Sequence, residues 1–172
     1  LANLLKNYSY KNKVRHITDD VKEATTGQDG NITSLTLSDG SCLKGDFFID
    51  CSGFKSLLIN KTLKVPFESF ADELINDSAE AISTEQTNTS KLTNFTRSKA
   101  LSSGWMWQIP LTSRIGNGYV YSSKHLPQEK AEKELAKALN LNWEQSSFRH
   151  FKMNVGMHKT TWSQNVLAIG LS

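Results

Sequence analysis

"GDFFIDCSGFKSLLINKTL", residues 45–63, decides how this chain folds. Phe47, Phe48 and Ile49 run unbroken into Asp50. Three small residues, Cys51, Ser52 and Gly53, follow, and then an apolar cluster of Leu57, Leu58 and Ile59. A short apolar run bounded by turn residues reads as a buried strand, and residues 54–63 read as a short helix. Asp50, Ser52 and Gly53 then stand at the C-terminal end of a strand, where open α/β sheets bind ligands, and the small residues let the backbone approach a phosphate or ribose closely. A plain strand-to-helix turn capped by Ser52 explains the same spacing. On these residues alone both readings stand.

The last eight residues, "NVLAIGLS" (165–172), repeat the pattern: a buried strand, then Gly170, Leu171 and Ser172 at its exit. Together the two strand ends suggest one cofactor held between them. Val21, at the end of "VRHITDDV" (14–21), offers a third contact through its backbone, or is an ordinary strand residue. Between these pieces, Asp29-Gly30 and Asp39-Gly40 are turn signals that divide residues 21–44 into three short antiparallel strands. The alternation slips near Ser34. Residues 1–12 read as the tail of a helix with Leu1, Leu4 and Leu5 on one side.

The second half centres on "SSGWMWQIPL" (102–111). In a strand, residues two apart share a face, so Trp105 and Trp107 point one way and Met106 and Gln108 the other, until Pro110 ends the ladder. Two indoles on one wall suit either a packed core or the side of a cofactor or aromatic-substrate site. "RIGNGYVYSS" (114–123) reads as a hairpin turn at Gly116-Asn117-Gly118 feeding a strand. No helix follows, so it is not a dinucleotide loop. Residues 73–84 are ambiguous between strand and helix, and residues 84–94 read as a polar loop. Pro127 opens a helix over 127–140 with Ala131, Leu135, Ala138 and Leu139 on one stripe. Two further strands are expected at 147–157 and 162–170.

The 172 residues carry a net charge of +3 and are 38% hydrophobic and 22% charged. That composition is globular. Scattered basic residues leave no nucleic-acid footprint, and no apolar run is long enough to span a membrane. Cys42 and Cys51 read as buried, reduced thiols of a cytoplasmic protein. No Cys/His cluster has metal-ligand spacing, and His16, His125, His150 and His158 read as surface or packed residues. The sequons at Asn7, Asn31, Asn60, Asn88 and Asn94 follow from an Asn- and Thr-rich composition. A start at Leu1 and a strand running into Ser172 read as an internal portion of a longer protein.

These pieces together resemble the flavin-dependent tryptophan halogenases. The resemblance rests on "VRHITDDV", "GDFFIDCSGFKSLLINKTL", "GWMWQIPL", "GNGYVYSS" and "WSQNVLAIGLS", in that order and spacing. It covers nearly the whole chain, and the Trp-x-Trp-x-Ile-Pro motif is its most diagnostic part. It implies an α/β class, α+β where only part of the fold is present: a flavin monooxygenase-type FAD-binding fold with an inserted mixed β-sheet substrate region, in which 1–65 is part of the FAD-binding domain, 66–160 the substrate-side β region and 161–172 a strand returning to the first domain. It implies FAD, reduced by a separate flavin reductase, with halide as co-substrate. Oxygen and the flavin form a hydroperoxide that converts halide to hypohalous acid, and this reaches a small aromatic substrate such as tryptophan through a tunnel. Trp105, Trp107, Ile109 and Pro110 match the tunnel lining that separates substrate from flavin. Val21 matches a contact at the adenine end of FAD, and Leu171 a flavin contact. Asp50, Ser52, Gly53, Gly170 and Ser172 fall beside the cofactor by the same pattern. The family's Gly-x-Gly-x-x-Gly and catalytic lysine would precede Leu1, and its glutamate and halide-binding Ser-Thr-Gly would follow Ser172, so no catalytic residue is expected within the chain and the chain alone is expected to be inactive. A homodimer is left open; no nucleic acid, membrane or metal is expected. A hydroxylating flavin monooxygenase and a non-catalytic remnant of the fold are the alternatives.

Overall fold

The turn signals at Asp29-Gly30 and Asp39-Gly40 shape the first sheet of the computed structural model. Here β1 (Val21–Thr26), β2 (Ile32–Leu37) and β3 (Cys42–Lys44) pair antiparallel in that order. In both loops an aspartate carboxylate accepts a backbone N–H two residues on, Asp29 from Asn31 and Asp39 from Ser41, which is how Asx residues hold turns. The slip near Ser34 is a bulge. Thr25 pairs with Ser34 and Thr26 with Ile32, so Thr33 has no partner. The extra residue lets Ile32 and Leu35 reach the same core despite their odd spacing.

The structure describes residues 1–86 and 93–172. They form two units, Leu1–Pro66 with Thr160–Ser172, and Phe67–Lys159. The polar stretch 84–94, with Asn88, lies partly outside the described residues.

In the first unit, α1 (Ala2–Lys11) exposes Leu4, Leu5 and Tyr8. β4 (Phe48–Asp50) lies parallel to β13 (Val166–Ala168), with Asp50 opposite Ala168. The single strand expected over 162–170 is instead a hairpin. β12 (Trp162–Ser163) folds back on β13 through Gln164, which takes a left-handed φ of 52°. The helix expected over 54–63 is also corrected. A 3₁₀ turn at Gly53–Lys55 is followed by Ser56 at φ 41° and a π-helical turn at Leu57–Thr62. Its backbone bonds run five residues back, from Lys61 N–H to the Ser56 carbonyl and from Leu63 N–H to that of Leu58. The Ser52 hydroxyl takes the Leu57 N–H and the Asp50 carboxylate those of Leu58 and Ile59, and together they fix where the turn starts.

Ile32, Leu58, Ile59, Val65, Val166 and Ala168 close the core of this unit. The parallel pair is covered on that side only. Phe47, Ile49 and Ile169 are exposed, and Phe47 packs edge-on against Trp162.

The second unit is built on a five-stranded antiparallel sheet in the order β10-β6-β9-β8-β7. Its strands are β6 (Ser78–Glu85), β7 (Arg97–Leu101), β8 (Gly104–Pro110), β9 (Arg114–Tyr121) and β10 (Arg149–Lys152). The ambiguous stretch 73–84 thus resolves as strand from Ser78. A two-stranded ladder of β5 (Phe67–Ser69) and β11 (Gly156–His158) stands apart, so the strand expected over 147–157 is split. α2 (Gln128–Ala138) begins just after Pro127, as its sequence required, and buries Ala131, Leu135 and Ala136. Met106, Tyr119, Tyr121, Ala131 and Leu135 form the core between helix and sheet.

One motif is misplaced by sequence reasoning. Gly116-Asn117-Gly118 is not a turn but the middle of β9. The hairpin closes earlier, where Leu111 N–H donates to the Arg114 carbonyl. Asn117 is buried and its amide donates to the Thr84 hydroxyl and the Ile115 carbonyl while accepting from Gln108 Nε2. An asparagine with its polar atoms satisfied this way is stable in mid-strand. Both cysteines are exposed and free, which corrects their expected burial: Cys42 faces outward on β3 and Cys51 leaves the end of β4.

Candidate functional site

The ends of β4 and β13 meet in the first unit because the strands run parallel and in register. Asp50 is buried and its carboxylate is fully engaged. One oxygen accepts from the Ser52 hydroxyl at 2.6 Å and its N–H at 3.0 Å, and the other from the N–H groups of Leu58 at 2.7 Å and Ile59 at 3.0 Å. Ser52 Oγ accepts in turn from Leu57 N–H at 2.8 Å. The acid therefore acts on the turn and points away from solvent. Across the gap, the Ser172 hydroxyl accepts from Gly53 N–H at 2.9 Å, joining the two strand ends. Gly53 and Gly170 hold φ of 62° and 76°, in the left-handed region that favours glycine. A Cβ on either would meet nothing within 4 Å, so open space lies beside both. Leu171 is exposed next to them. Val21 lies elsewhere in the unit, on a cleft of about 370 Å³ shared with Lys22, Ala24, Leu57, Leu58 and Lys61. The structure thus brings Asp50, Ser52, Gly53 and Ser172 together and sets Val21 on a cleft bordered by Leu57 and Leu58, whose N–H groups the Ser52 hydroxyl and the Asp50 carboxylate hold.

The tryptophans of the second unit share the face of the sheet opposite α2. Met106 points into the helix–sheet core, and Trp105 and Trp107 point away from it with ring centroids 6.0 Å apart and planes tilted by 56°. Trp105 is 43% exposed. A sheet packed on its own core uses Met106, not the indoles. Ile109, on the same face, is exposed, and Pro110 closes β8 past the point where β7 pairs, so its missing N–H costs no bond there. Trp107, Ser83, Arg114, Gly116 and Arg149 line a cleft of about 830 Å³, with Arg114 donating to Ser83 Oγ at 2.6 Å. Replacing Trp105 with alanine is expected to cost about 1–2 kcal/mol of stability, because an indole this exposed has less transfer free energy to lose than a buried one. Urea denaturation measures it.

Sequence reasoning passed over Glu80, which is fully buried between His150 Nδ1 at 2.6 Å and the Tyr121 hydroxyl at 3.0 Å. Burial, and then the Glu80 carboxylate beside it, hold the Tyr121 hydroxyl protonated well above the ordinary tyrosine range. No sequence signal marked the group, since its members are 29 to 70 residues apart and meet only through β6, β9 and β10. His158 is buried edge-on to Phe67. Among the described residues no His, Cys, Asp and Glu cluster could hold a metal ion, and no helix is long and apolar enough to cross a membrane.

The sequence profile named "Tryptophan halogenase" matches residues 1–172. The chain belongs to the tryptophan halogenase family. It is 36% identical, over its whole length, to the tryptophan 6-halogenase SttH of Streptomyces toxytricini, and spans 33% of that protein. It is 37% identical to the tryptophan 7-halogenase RebH of Lentzea aerocolonigenes over 92% of its own length and 30% of RebH. The crystal structure of SttH matches 99% of this chain and 34% of that one with a TM-score of 0.91. That of a tryptophan halogenase from Shewanella frigidimarina matches 98% and 33% with a TM-score of 0.88 at 35% identity. The chain therefore spans about a third of the length of the curated relatives it matches. The resemblance read from the five motifs, and the α/β class it implies, agree with these matches.

Proposed function

We propose that this halogenase-family chain supplies the tunnel wall and one flank of the cofactor site in a flavin-dependent halogenase acting on a small aromatic substrate such as tryptophan. The carrying observation is the placement of the Trp-x-Trp-x-Ile-Pro motif. Trp105, Trp107 and Ile109 stand on the sheet face that the fold leaves open, while their neighbour Met106 holds the strand from behind. Large, rigid apolar rings there exclude water and keep an organic substrate from the flavin. They have no proton-transfer role, because indole has no useful pKa.

The strand ends of the first unit suit FAD. Two glycines with open space beside them let a planar or phosphorylated group come against the backbone, the Ser172–Gly53 bond holds the two ends together, and Asp50 and Ser52 keep the turn in shape. Leu171 offers an apolar contact, and the cleft at Val21 suits the adenine end. Reduced FAD, delivered by a flavin reductase in the cytoplasm, supplies with O₂ the oxidising power that makes halide electrophilic. The lysine and glutamate that complete the reaction in the family are not assigned to any residue of this chain.

The test is a reaction of the complete protein with FAD, a reductase system, chloride or bromide, and a panel of indoles and phenols, read by mass spectrometry. A halogen-bearing product whose formation depends on halide is expected. A hydroxylated product formed without halide would favour the monooxygenase reading, and no product with a stably folded protein would favour the remnant.

A further inference from the structure

The tryptophan wall depends on a residue with no side chain. Gly118 on β9 lies directly opposite Trp107 on β8. A Cβ placed on Gly118 would fall 2.1 Å from Trp107 Cζ2 and 2.2 Å from Cη2, far inside van der Waals contact. The indole of Trp107 therefore lies across the sheet on the Gly118 backbone. Gly118 is not there for its φ, since it sits in regular strand and, unlike Gly53 or Gly170, has no left-handed conformation. Two residues away, Gly116 shares the same strand and face, and a Cβ there would come no closer than 3.9 Å to anything, the Ile109 carbonyl. The requirement for glycine is specific to position 118 and to the ring above it.

We propose that Gly118 is the positioning residue for Trp107: it provides the seat that lays the indole flat on the sheet, and through it sets the Trp105–Trp107 geometry and how far the ring stands into the cleft it shares with Ser83, Gly116 and Arg149. A methyl group at 118 makes the ring leave this seat, and it then projects from the sheet towards the cleft. The consequence for halogenation rests on the proposed function; the seat itself does not.

The test is therefore spectroscopic. Two indoles at 6.0 Å couple their ultraviolet transitions, and the part of the far-ultraviolet circular dichroism that Trp107→Leu removes reports their mutual orientation. Gly118→Ala, made in the full chain, is expected to abolish or invert that couplet and lower the thermal midpoint, while Gly116→Ala leaves both as they are. In the double variant Gly118→Ala/Trp107→Leu, the new methyl no longer meets a ring, so the loss of stability is expected to be clearly smaller than the sum of the two single losses. If Gly118→Ala alone fails to fold, a folded double variant carries the same conclusion. An unchanged couplet in Gly118→Ala, additive losses in the double variant, or a double variant that also fails to fold would overturn the proposal. None of these readouts uses halogenation, so an inactive enzyme leaves them intact.

Discussion

Asp50→Ala is expected to destabilise the first unit by about 3 kcal/mol or more. The substitution leaves the N–H groups of Ser52, Leu58 and Ile59 and the Ser52 hydroxyl without their acceptor in a buried turn, and an orphaned buried donor costs about 1–3 kcal/mol. Asp50→Asn should cost less, since one amide oxygen still accepts. Burial pushes the Asp50 carboxyl up, but the Ser52 hydroxyl and the N–H groups of Ile59, Ser52 and Leu58 outweigh it, and the group titrates below its ordinary value. A carboxylate whose folded pKa is depressed stabilises fully above its unfolded pKa, about 4, and that contribution is lost as pH falls through the folded one. Stability should therefore drop in acid more in the native chain than in Asp50→Ala. Chemical denaturation at neutral and acid pH checks both statements, and an unchanged midpoint would remove Asp50 from the turn. Flavin retention should fall together with stability. Weak flavin binding by a fully stable Asp50→Ala would instead make the carboxylate a direct ligand.

Leu135→Ala carries the second large effect, about 3 kcal/mol within the usual 2–5 for a buried leucine. Leu135 is wholly inaccessible and packs α2 onto Met106, Tyr119 and Tyr121. The comparison with Trp105→Ala decides what the sheet is for. If the two variants lose the same stability, the tryptophan face is a second core and the candidate wall falls. If Leu135→Ala loses clearly more, the fold rests on the helix side and the indoles are free for another task. Thermal denaturation of both variants at one scan rate measures the difference.

Local patterns were legible where one residue's chemistry dictates one backbone state. The Asp-Gly turns, the sharing of a face by Trp105 and Trp107, and the helix after Pro127 all formed where the sequence placed them. The failures have a common cause, which is that a long-range partner decides. Glycine in Gly116-Asn117-Gly118 reads as a turn until the Trp107 ring is seen lying on it. The π-helical turn after Ser56 depends on a carboxylate eight and nine residues upstream. The hairpin within 162–170 was hidden because an apolar run shows no sign of the reversal at Gln164. The candidate site was half legible. Its residue types were visible, but the inward aim of Asp50 and the place of Val21 on a cleft beside Leu57 and Leu58 are set by the packing of distant segments.

The division of β8 between two faces has a consequence for how this strand can change over time. Met106 serves the interior and its neighbours on either side serve the opening. Substitutions at 105 and 109 can therefore be explored with little reference to the folding core, whereas 107 is tied to its seat on Gly118. Changes in length are another matter. A single inserted or deleted residue before Met106 would exchange the two faces at once, sending indoles against Leu135 and a methionine into the opening. Such a strand can diversify by replacement and hardly at all by insertion or deletion.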